Sequence, residues 1–115
     1  MIDTETVAQL QQKLANEKEA VRSRLEDALI TLTGLDVSNV PTAHLIKLCR
    51  REKSTKLHDD GLRLEKIDAA LCAIHTGLFG LCADCEEEVE VEDILSDPAE
   101  SRCRACREHS RYHHT

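Results

Sequence analysis

Residues 82–106 read CADCEEEVEVEDILSDPAESRCRAC and contain two CxxC pairs, Cys82 with Cys85 and Cys103 with Cys106. Seventeen residues separate the two pairs, which matches the spacing of about 15–20 residues that is typical of a four-thiolate zinc site. Four thiolates surround a zinc ion as a tetrahedron and leave no position open for water, so such a site stabilises a fold. The spacing therefore predicts one structural Zn²⁺ bound by the four cysteines.

Two other chemistries use paired cysteines, namely disulfides and a dithiol redox centre. A redox centre needs only one CxxC pair, and disulfide-bonded proteins are normally exported. The N-terminal residues MIDTETVAQLQQKLANEKEA are polar and lack the apolar core of a signal peptide. No stretch approaches the run of about 20 apolar residues that a membrane helix needs. We therefore expect a cytoplasmic protein, without membrane contact, whose thiols are reduced or bound to metal.

The segment between the outer cysteines is strongly acidic. It carries nine Asp and Glu residues against Arg102 and Arg104, a formal charge of −7, which equals that of the whole 115-residue chain. Nucleic-acid affinity depends on Lys and Arg displacing counterions from phosphate, so this charge disfavours direct DNA binding. The acidic run indicates either a solvated surface or a surface that faces a protein partner.

Two long amphipathic helices are predicted ahead of the cysteines. Apolar residues recur at intervals of mostly three or four over residues 4–33 and again over residues 41–76. Gly34 suits the left-handed turn that ends a helix, and Pro41 suits the first position of the next. Residues 34–41 are the loop between the helices, which we call the tip loop.

Neither helix can bury its apolar face alone, and a short link favours antiparallel neighbours. We predict a mostly α protein, with an antiparallel two-helix coiled-coil hairpin over residues 1–76. Residues 77–115 are expected to form a small four-cysteine zinc finger and a short C-terminal helix. The apolar residues expected to join the two helices are Leu10, Leu14, Val21, Leu25, Leu57, Leu64, Ile67 and Leu71.

Some local features follow from single residues. Gly61 is a poor helix former and predicts a kink or a loosely packed stretch near residues 58–61. Alternating valines in EVEVEDIL, residues 88–95, favour a short strand or hairpin arm. The finger is expected to have a small core of Phe79, Leu81, Val89, Val91, Ile94 and Leu95. Histidines 109, 113 and 114 are interpreted as a polar helix tail.

Nothing in the chain indicates an enzyme. No Ser-His-Asp set, glycine-rich phosphate loop or pair of pocketed carboxylates can be recognised, and aromatic residues make up only 2% of the chain. Cys49 and Cys72 are about 35 Å apart along one straight helix, so they cannot share a metal or a disulfide there. We interpret Cys49 as a small buried residue, and Cys72 as either the same or a surface residue.

Residues 77–85, GLFGLCADC, follow the sequence LEKIDAAL at residues 64–71. Together they resemble the DksA/TraR C4 zinc-finger family, whose pattern is approximately I-x-x-A-L-x-x-I-x-x-G-x-[YF]-G-x-C-x-x-C. The 17-residue gap, Pro98 and the pair Ile94-Leu95 fit the same family. The motif-level likeness covers about residues 60–107, and the inferred hairpin extends it to nearly the whole chain.

The resemblance implies a transcription regulator that binds bacterial RNA polymerase and makes no direct contact with DNA, expected here as a monomer. Members of the family insert the coiled coil in the secondary channel of the polymerase, with the finger at the channel rim. The tip of the coiled coil then faces the catalytic centre. Some members act together with the alarmone ppGpp.

By the family's spacing, its acidic D-x-x-D-R-A tip motif falls on Asn39 to His44, where both aspartates are absent. The resemblance makes Asp36, Asn39 and Thr42 the residues that would face the active centre. It makes Lys66 and Arg107 candidate contacts to an alarmone or to the channel rim. Where the family usually has a glycine after its second cysteine, this chain has Glu86.

Two other functions remain open from the residues. The first is a zinc-stabilised coiled-coil adaptor that binds a different protein. The second is a zinc ribbon that binds nucleic acid, which the acidic finger disfavours. Pull-down with core polymerase separates the regulator from the adaptor, and the salt dependence of any DNA binding tests the zinc ribbon.

Overall fold

Five helices make up most of the described chain, which confirms the predicted mostly α class. The computed structural model describes residues 2–112, with side chains through Glu108, so the three C-terminal histidine side chains lie outside the described residues. Within residues 2–112 there is no strand, and an isolated antiparallel bridge joins Leu81 and Glu88. The helices are α1 (Thr4–Thr33), α2 (Thr42–Arg51), α3 (Thr55–Thr76), α4 (Val91–Ser96) and α5 (Arg104–Tyr112).

The chain divides into two compact units. Residues 15–68 form one unit, here called the helical unit. The described residues up to Leu14 and from Ala69 onward form the other, here called the cysteine unit. The start of α1 belongs with the cysteines because Leu10, which is 7% exposed, packs in one apolar cluster with Cys82 and Ile94.

The ends of α1 are those that the sequence predicts. The Asp3 carboxylate accepts a hydrogen bond of 2.7 Å from the backbone N–H of Thr6 and caps the first turn. At the other end Gly34 adopts a φ of +74°, and its N–H donates to the Ile30 carbonyl at 2.8 Å. A left-handed glycine of this kind satisfies a carbonyl that the helix leaves free.

The second predicted helix is interrupted, and the interruption is not at Gly61. Helix α2 ends at Arg51, and the next residue, Glu52, has an extended backbone with φ −81° and ψ 147°. Ser54 then starts α3, since its hydroxyl accepts a hydrogen bond of 3.4 Å from the N–H of Leu57. The single helix predicted over residues 41–76 is therefore two helices, and Ser54 is the N-cap of the second.

Gly61 lies inside α3 and makes a close helix contact in place of the predicted kink. A Cβ at this position would lie 3.0 Å from the Cβ of Cys49, which is 0% exposed on α2. In one straight helix the two residues would be about 18 Å apart, so the chain must reverse between α2 and α3. The glycine is present because the two helices touch there.

Within the helical unit α1 and α3 run antiparallel, as predicted for the two arms of the hairpin. Arg63 donates to Glu17 at 2.7 Å, and Arg24 lies 3.5 Å from Asp60. The later residue of α1, Arg24, therefore pairs with the earlier residue of α3, Asp60, as antiparallel helices require. The buried apolar residues of this unit are Val21, Leu25, Leu29, Val37, Leu45, Ile46, Cys49, Leu57, Leu64 and Ile67.

The acidic segment forms a helix where the sequence favours a strand. Residues Val91–Ser96 form α4. Val89 and Ile94 are both buried, at 3% and 2% exposure. Residues five apart point to opposite faces of a strand, so a strand with one buried face could bury only one of them. Of the predicted finger core, Leu81, Val91 and Leu95 are in fact exposed.

Among the helices of residues 2–112, none combines the length and the apolar character that crossing a membrane requires.

Candidate metal centre and tip loop

The first CxxC pair sits on a tight turn. The N–H of Cys82 donates to the Glu87 carbonyl at 2.7 Å, and the N–H of Glu86 donates to the Cys82 carbonyl at 3.0 Å. Glu86 closes this turn with a φ of +65°, a left-handed conformation that glycine adopts without strain. The turn brings the sulfurs of Cys82 and Cys85 to the same side.

The second pair spans the start of α5. Cys103 immediately precedes the helix, and its carbonyl accepts a hydrogen bond of 3.0 Å from the N–H of Arg107. Cys106 therefore lies one turn further on, on the same face. A backbone hydrogen bond of 2.8 Å from Ala83 to the Ser101 carbonyl ties the two CxxC segments together.

The four predicted ligand residues converge on one point. The sulfurs of Cys82, Cys85, Cys103 and Cys106 all lie within 4.8 Å of one another. The sulfurs of Cys85 and Cys103 are 3.7 Å apart, and none of the four cysteines is in a disulfide. The arrangement can hold one metal ion between four thiolates.

The surroundings of the cluster shift the thiol pKa values of Cys82 and Cys106 in opposite directions. Burial acts to raise the pKa of Cys82, but hydrogen bonds from the backbone N–H groups of Cys103, Cys85 and Asp84 lower it to about 6. The pKa of Cys106 is raised, first because its thiol shares a hydrogen bond with Cys103. A metal ion would replace these shared protons, because metal ligation requires the thiolate form.

Three arginines partner the acidic groups of the cysteine unit. Arg102 donates to Asp84 at 2.6 Å, and Arg104 donates to Asp93 at 3.0 Å. The hydrogen bond from Arg104 lowers the pKa of Asp93. Arg107 pairs with Asp93 as well, so this carboxylate links α4 to α5.

The two candidate alarmone contacts have different surroundings. Arg107 pairs with Asp93 and lies 3.7 Å from Glu100. Its Nε is buried without a hydrogen-bond partner. Lys66 belongs to the helical unit, where its side chain is exposed.

The tip loop holds two of the three predicted tip residues on its surface. Asp36 is exposed, and its carboxylate accepts a hydrogen bond of 2.9 Å from the N–H of Ser38. That hydrogen bond lowers the pKa of Asp36. Asn39 is also exposed, whereas Val37 between them is buried. Asp36 is the one carboxylate of the tip loop.

Thr42, the third predicted tip residue, is held against α1. Its hydroxyl accepts a hydrogen bond of 2.9 Å from Arg22, which also donates to the Val40 carbonyl. Arg22 in turn pairs with Glu26 at 2.9 Å. Arg22 could not be predicted from the sequence, because no local pattern distinguishes it from the other charged residues of α1. Its role in holding the end of the tip loop follows only from the folded structure, in which that segment lies beside α1.

Comparison with known proteins shows a likeness in the fold. No protein-family model matches the chain, and no curated protein matches it. A solved structure described as transcription factor DksA2 from Pseudomonas aeruginosa matches with a TM-score of 0.62 and 16% identity, covering 96% of this chain and 86% of that one. At this identity the likeness establishes the fold. The fold and the four-cysteine cluster agree with the predicted resemblance to the DksA/TraR family.

Proposed function

We propose that this protein is a DksA/TraR-type transcription regulator, without enzymatic activity, that binds RNA polymerase through the secondary channel and the channel rim. The observation that carries the proposal is the DksA2-like fold over 96% of the chain. The four-cysteine cluster in the expected place supports it independently. The strongly acidic cysteine unit suits a protein partner better than the phosphates of a specific DNA site.

The metal in this proposal is a single structural Zn²⁺. Zinc–sulfur bonds of about 2.3 Å in a tetrahedron require sulfurs about 3.8 Å apart. The sulfurs of Cys85 and Cys103 are 3.7 Å apart, which fits that edge. Zinc would supply cross-links between the turn at Cys82 and the start of α5. All four positions are protein ligands, so the ion would have no site for substrate.

The active-centre group in this proposal is the carboxylate of Asp36. It is exposed, and the hydrogen bond from the N–H of Ser38 lowers its pKa. A carboxylate acts strongly on Mg²⁺ or on basic groups where water is excluded. Asn39 would contribute only an amide, and the hydroxyl of Thr42 is already engaged by Arg22. We therefore expect a regulatory effect weaker than that of a tip with two aspartates.

Alarmone binding remains a prediction, and the two candidate basic residues differ in how much of their charge is free to attract an anion. The charge of Arg107 is offset by Asp93 and Glu100, so we expect little attraction for an added anion. Lys66 has no ion pair among the described residues and is the better candidate. Titration calorimetry with ppGpp against the complex of Lys66→Ala and polymerase tests this assignment, and unchanged binding by that variant would contradict it.

The test of the proposed function combines binding and transcription. Zinc-loaded protein should bind core RNA polymerase, and a cleavage factor that occupies the secondary channel should displace it. The variant Asp36→Asn should bind about equally well but change run-off transcription from a sensitive promoter. The variant Glu19→Gln removes the same charge from an exposed position of α1 and is the matched control.

Two outcomes would redirect the proposal. Folded, zinc-loaded protein that fails to bind polymerase would leave the adaptor function. Loss of polymerase binding in Asp36→Asn would make the tip loop an anchor. Adding the missing charges with Asn39→Asp and Thr42→Asp should strengthen the effect on transcription if their absence is what weakens it.

A further inference from the structure

One arginine side chain of α1 contacts three residues at the end of the tip loop. Arg22 is mostly buried, with 19% of its side chain exposed. Its Nη1 donates to the hydroxyl of Thr42 at 2.9 Å. Its Nη2 donates to the carbonyl of Ser38 at 3.4 Å and to the carbonyl of Val40. The acceptors lie 16 to 20 residues further along the chain, so these contacts exist only in the folded helical unit.

The hydrogen-bond donors of Arg22 are nearly all in use. A guanidinium carries five N–H groups, one on Nε and two on each Nη. Nε donates to Glu26 at 2.9 Å, and the two N–H groups of Nη2 serve the carbonyls of Ser38 and Val40. Nη1 donates to Thr42, and among the described residues its second N–H is the spare donor. The spare donor is therefore on the nitrogen that contacts position 42.

Ser38 connects Arg22 to the carboxylate of the tip loop. The N–H of Ser38 donates to the Asp36 carboxylate at 2.9 Å, and its carbonyl accepts the hydrogen bond from Arg22. Val37, between Asp36 and Ser38, is buried at 5% exposure. The backbone that presents Asp36 is thus held by Ser38 on one side and by a buried side chain below. Removing Arg22 would loosen this segment, because the Ser38 and Val40 carbonyls would lose their donor.

Positions 39 and 42 differ in their surroundings. Asn39 is exposed, and within residues 2–112 no hydrogen bond or ion pair engages its side chain. The Nη2 donors of Arg22 are taken up by the carbonyls of the residues before and after it. Thr42, in contrast, is partly buried, and its side chain contacts Arg22 directly. A carboxylate at position 39 would remain at the surface, whereas a carboxylate at position 42 would meet a guanidinium.

We propose that Arg22 determines which tip positions can carry a regulatory carboxylate, because it fixes the loop that presents Asp36 and would bind a carboxylate at position 42. This role rests on the proposed polymerase function and deepens it. Arginine and carboxylate form charge-assisted hydrogen bonds, often through two parallel N–H groups. A carboxylate held in that way against α1 is not available to Mg²⁺ or to a basic group of a partner. Arg22 is thus a positioning residue, and a charge gained at position 39 acts where one gained at position 42 does not.

The first test measures the coupling of the two positions by melting, without polymerase. In zinc-loaded, full-length protein, Thr42→Asp should raise the melting temperature of the helical unit by about 2–4 °C, since it adds an ion pair with Arg22. In the Arg22→Gln background this gain should fall by at least half, and the remainder is the attraction of the α2 dipole for an acid in its first turn. Arg24→Gln is the matched control, because Arg24 is on the same helix and pairs with Asp60 instead. The gain should persist in that background.

The second test measures run-off transcription at saturating protein, with polymerase binding measured for each variant. Asn39→Asp should strengthen the effect on transcription, because a second carboxylate is then available, and Thr42→Asp should give less than half of that gain. In the Arg22→Gln background the difference between the two positions should narrow. Arg22→Gln alone should weaken the effect of the native tip more than it weakens binding. Arg22→Lys should not restore it, because one ammonium cannot serve three acceptors as the planar guanidinium does.

The proposal is overturned if Asn39→Asp and Thr42→Asp strengthen transcription equally, or if the melting gain of Thr42→Asp is the same with and without Arg22. Native transcription by Arg22→Gln would also contradict it. Circular dichroism verifies that each variant keeps its helices, and if Arg22→Gln does not fold, the comparison of positions 39 and 42 in the native background decides. Native protein that fails to bind polymerase refutes the proposed function, and the melting measurements then still show whether Arg22 binds a carboxylate at position 42.

Discussion

The two compact units differ in the interactions that stabilise the interior of each. The helical unit buries ten apolar side chains, including Leu25, Leu45 and Ile67 at 0% exposure. The cysteine unit has a smaller cluster, in which Cys82 and Cys103 take the places that large aliphatic residues would fill elsewhere. Exposed ion pairs such as Arg104 with Asp93 add little to stability.

The difference shows which positions each unit can vary. An aliphatic core tolerates exchange among residues of similar volume. A four-ligand site does not, because each sulfur has no substitute in the cluster and small modules depend on such cross-links. We therefore expect the cysteine unit to fail completely when one residue is lost, and the helical unit to weaken by degrees.

The largest effect is expected from Cys103→Ser. A structural zinc contributes on the order of 10 kcal/mol to folding, so loss of one ligand should unfold the finger and release the metal. Circular dichroism should show that residues 15–68 keep their helices, and metal analysis should find less than half an equivalent. Cys72→Ser changes an exposed cysteine outside the cluster and should do neither. A metal-loaded Cys103→Ser protein would contradict the assigned site.

Next in size is Leu25→Asp. The side chain of Leu25 is 0% exposed, and an unpaired charge there should cost about 3–5 kcal/mol of unfolding free energy. Urea denaturation of the helical unit measures the loss. Leu32→Asp makes the same change on α1 at a residue that is 58% exposed, and it should cost less than about 1 kcal/mol. Similar losses in both variants would place the apolar face of α1 elsewhere.

A smaller loss is expected from Gly61→Val. The added Cβ would lie 3.0 Å from the Cβ of Cys49, and forcing α2 away should cost about 1–3 kcal/mol. His58→Val places the same side chain at an exposed position of the same helix, where no close helix contact is present. Thermal melting compares the two. Equal melting temperatures would show that α2 and α3 do not need close contact.

The smallest effect is a gain, from Glu86→Gly. Glu86 has a φ of +65°, and a side chain in that conformation costs about 1 kcal/mol, which glycine avoids. The variant should have a slightly higher melting temperature, and its zinc affinity should equal that of the native protein. Glu87→Gly, which alters the neighbouring residue in the same acidic run, should not raise the melting temperature. A lower melting temperature for Glu86→Gly would mean that its carboxylate matters more than its backbone.

The sequence was sufficient to predict the features whose signals are local. The cysteine spacing predicted the four-cysteine cluster, and Asp3 and Gly34 marked both ends of α1. The apolar period gave buried residues on both helices, such as Val21 and Leu64. Each of these depends on residues at most a few turns apart, or on a motif with fixed spacing.

The features that were missed depend on contacts between distant residues. Ser54 was a usable signal for a helix start, but the apolar period continued through it and favoured one long helix. Gly61 looks like a helix breaker until Cys49 lies against it. The alternating valines favoured a strand, but residues Val91–Ser96 form a helix in which Ile94 is buried and Val91 is exposed.

Because the six cysteines lie in different surroundings, the number of thiols that react with a reagent reports which unit is unfolded. In the folded, metal-loaded protein a thiol reagent should find Cys72 alone, because Cys49 is 0% exposed and the other four would bind the ion. Opening the helical unit would add Cys49, and removing the metal would add the four cluster sulfurs. The number of labelled thiols, counted by mass spectrometry over time, would therefore tell which unit opens first and whether the two open independently.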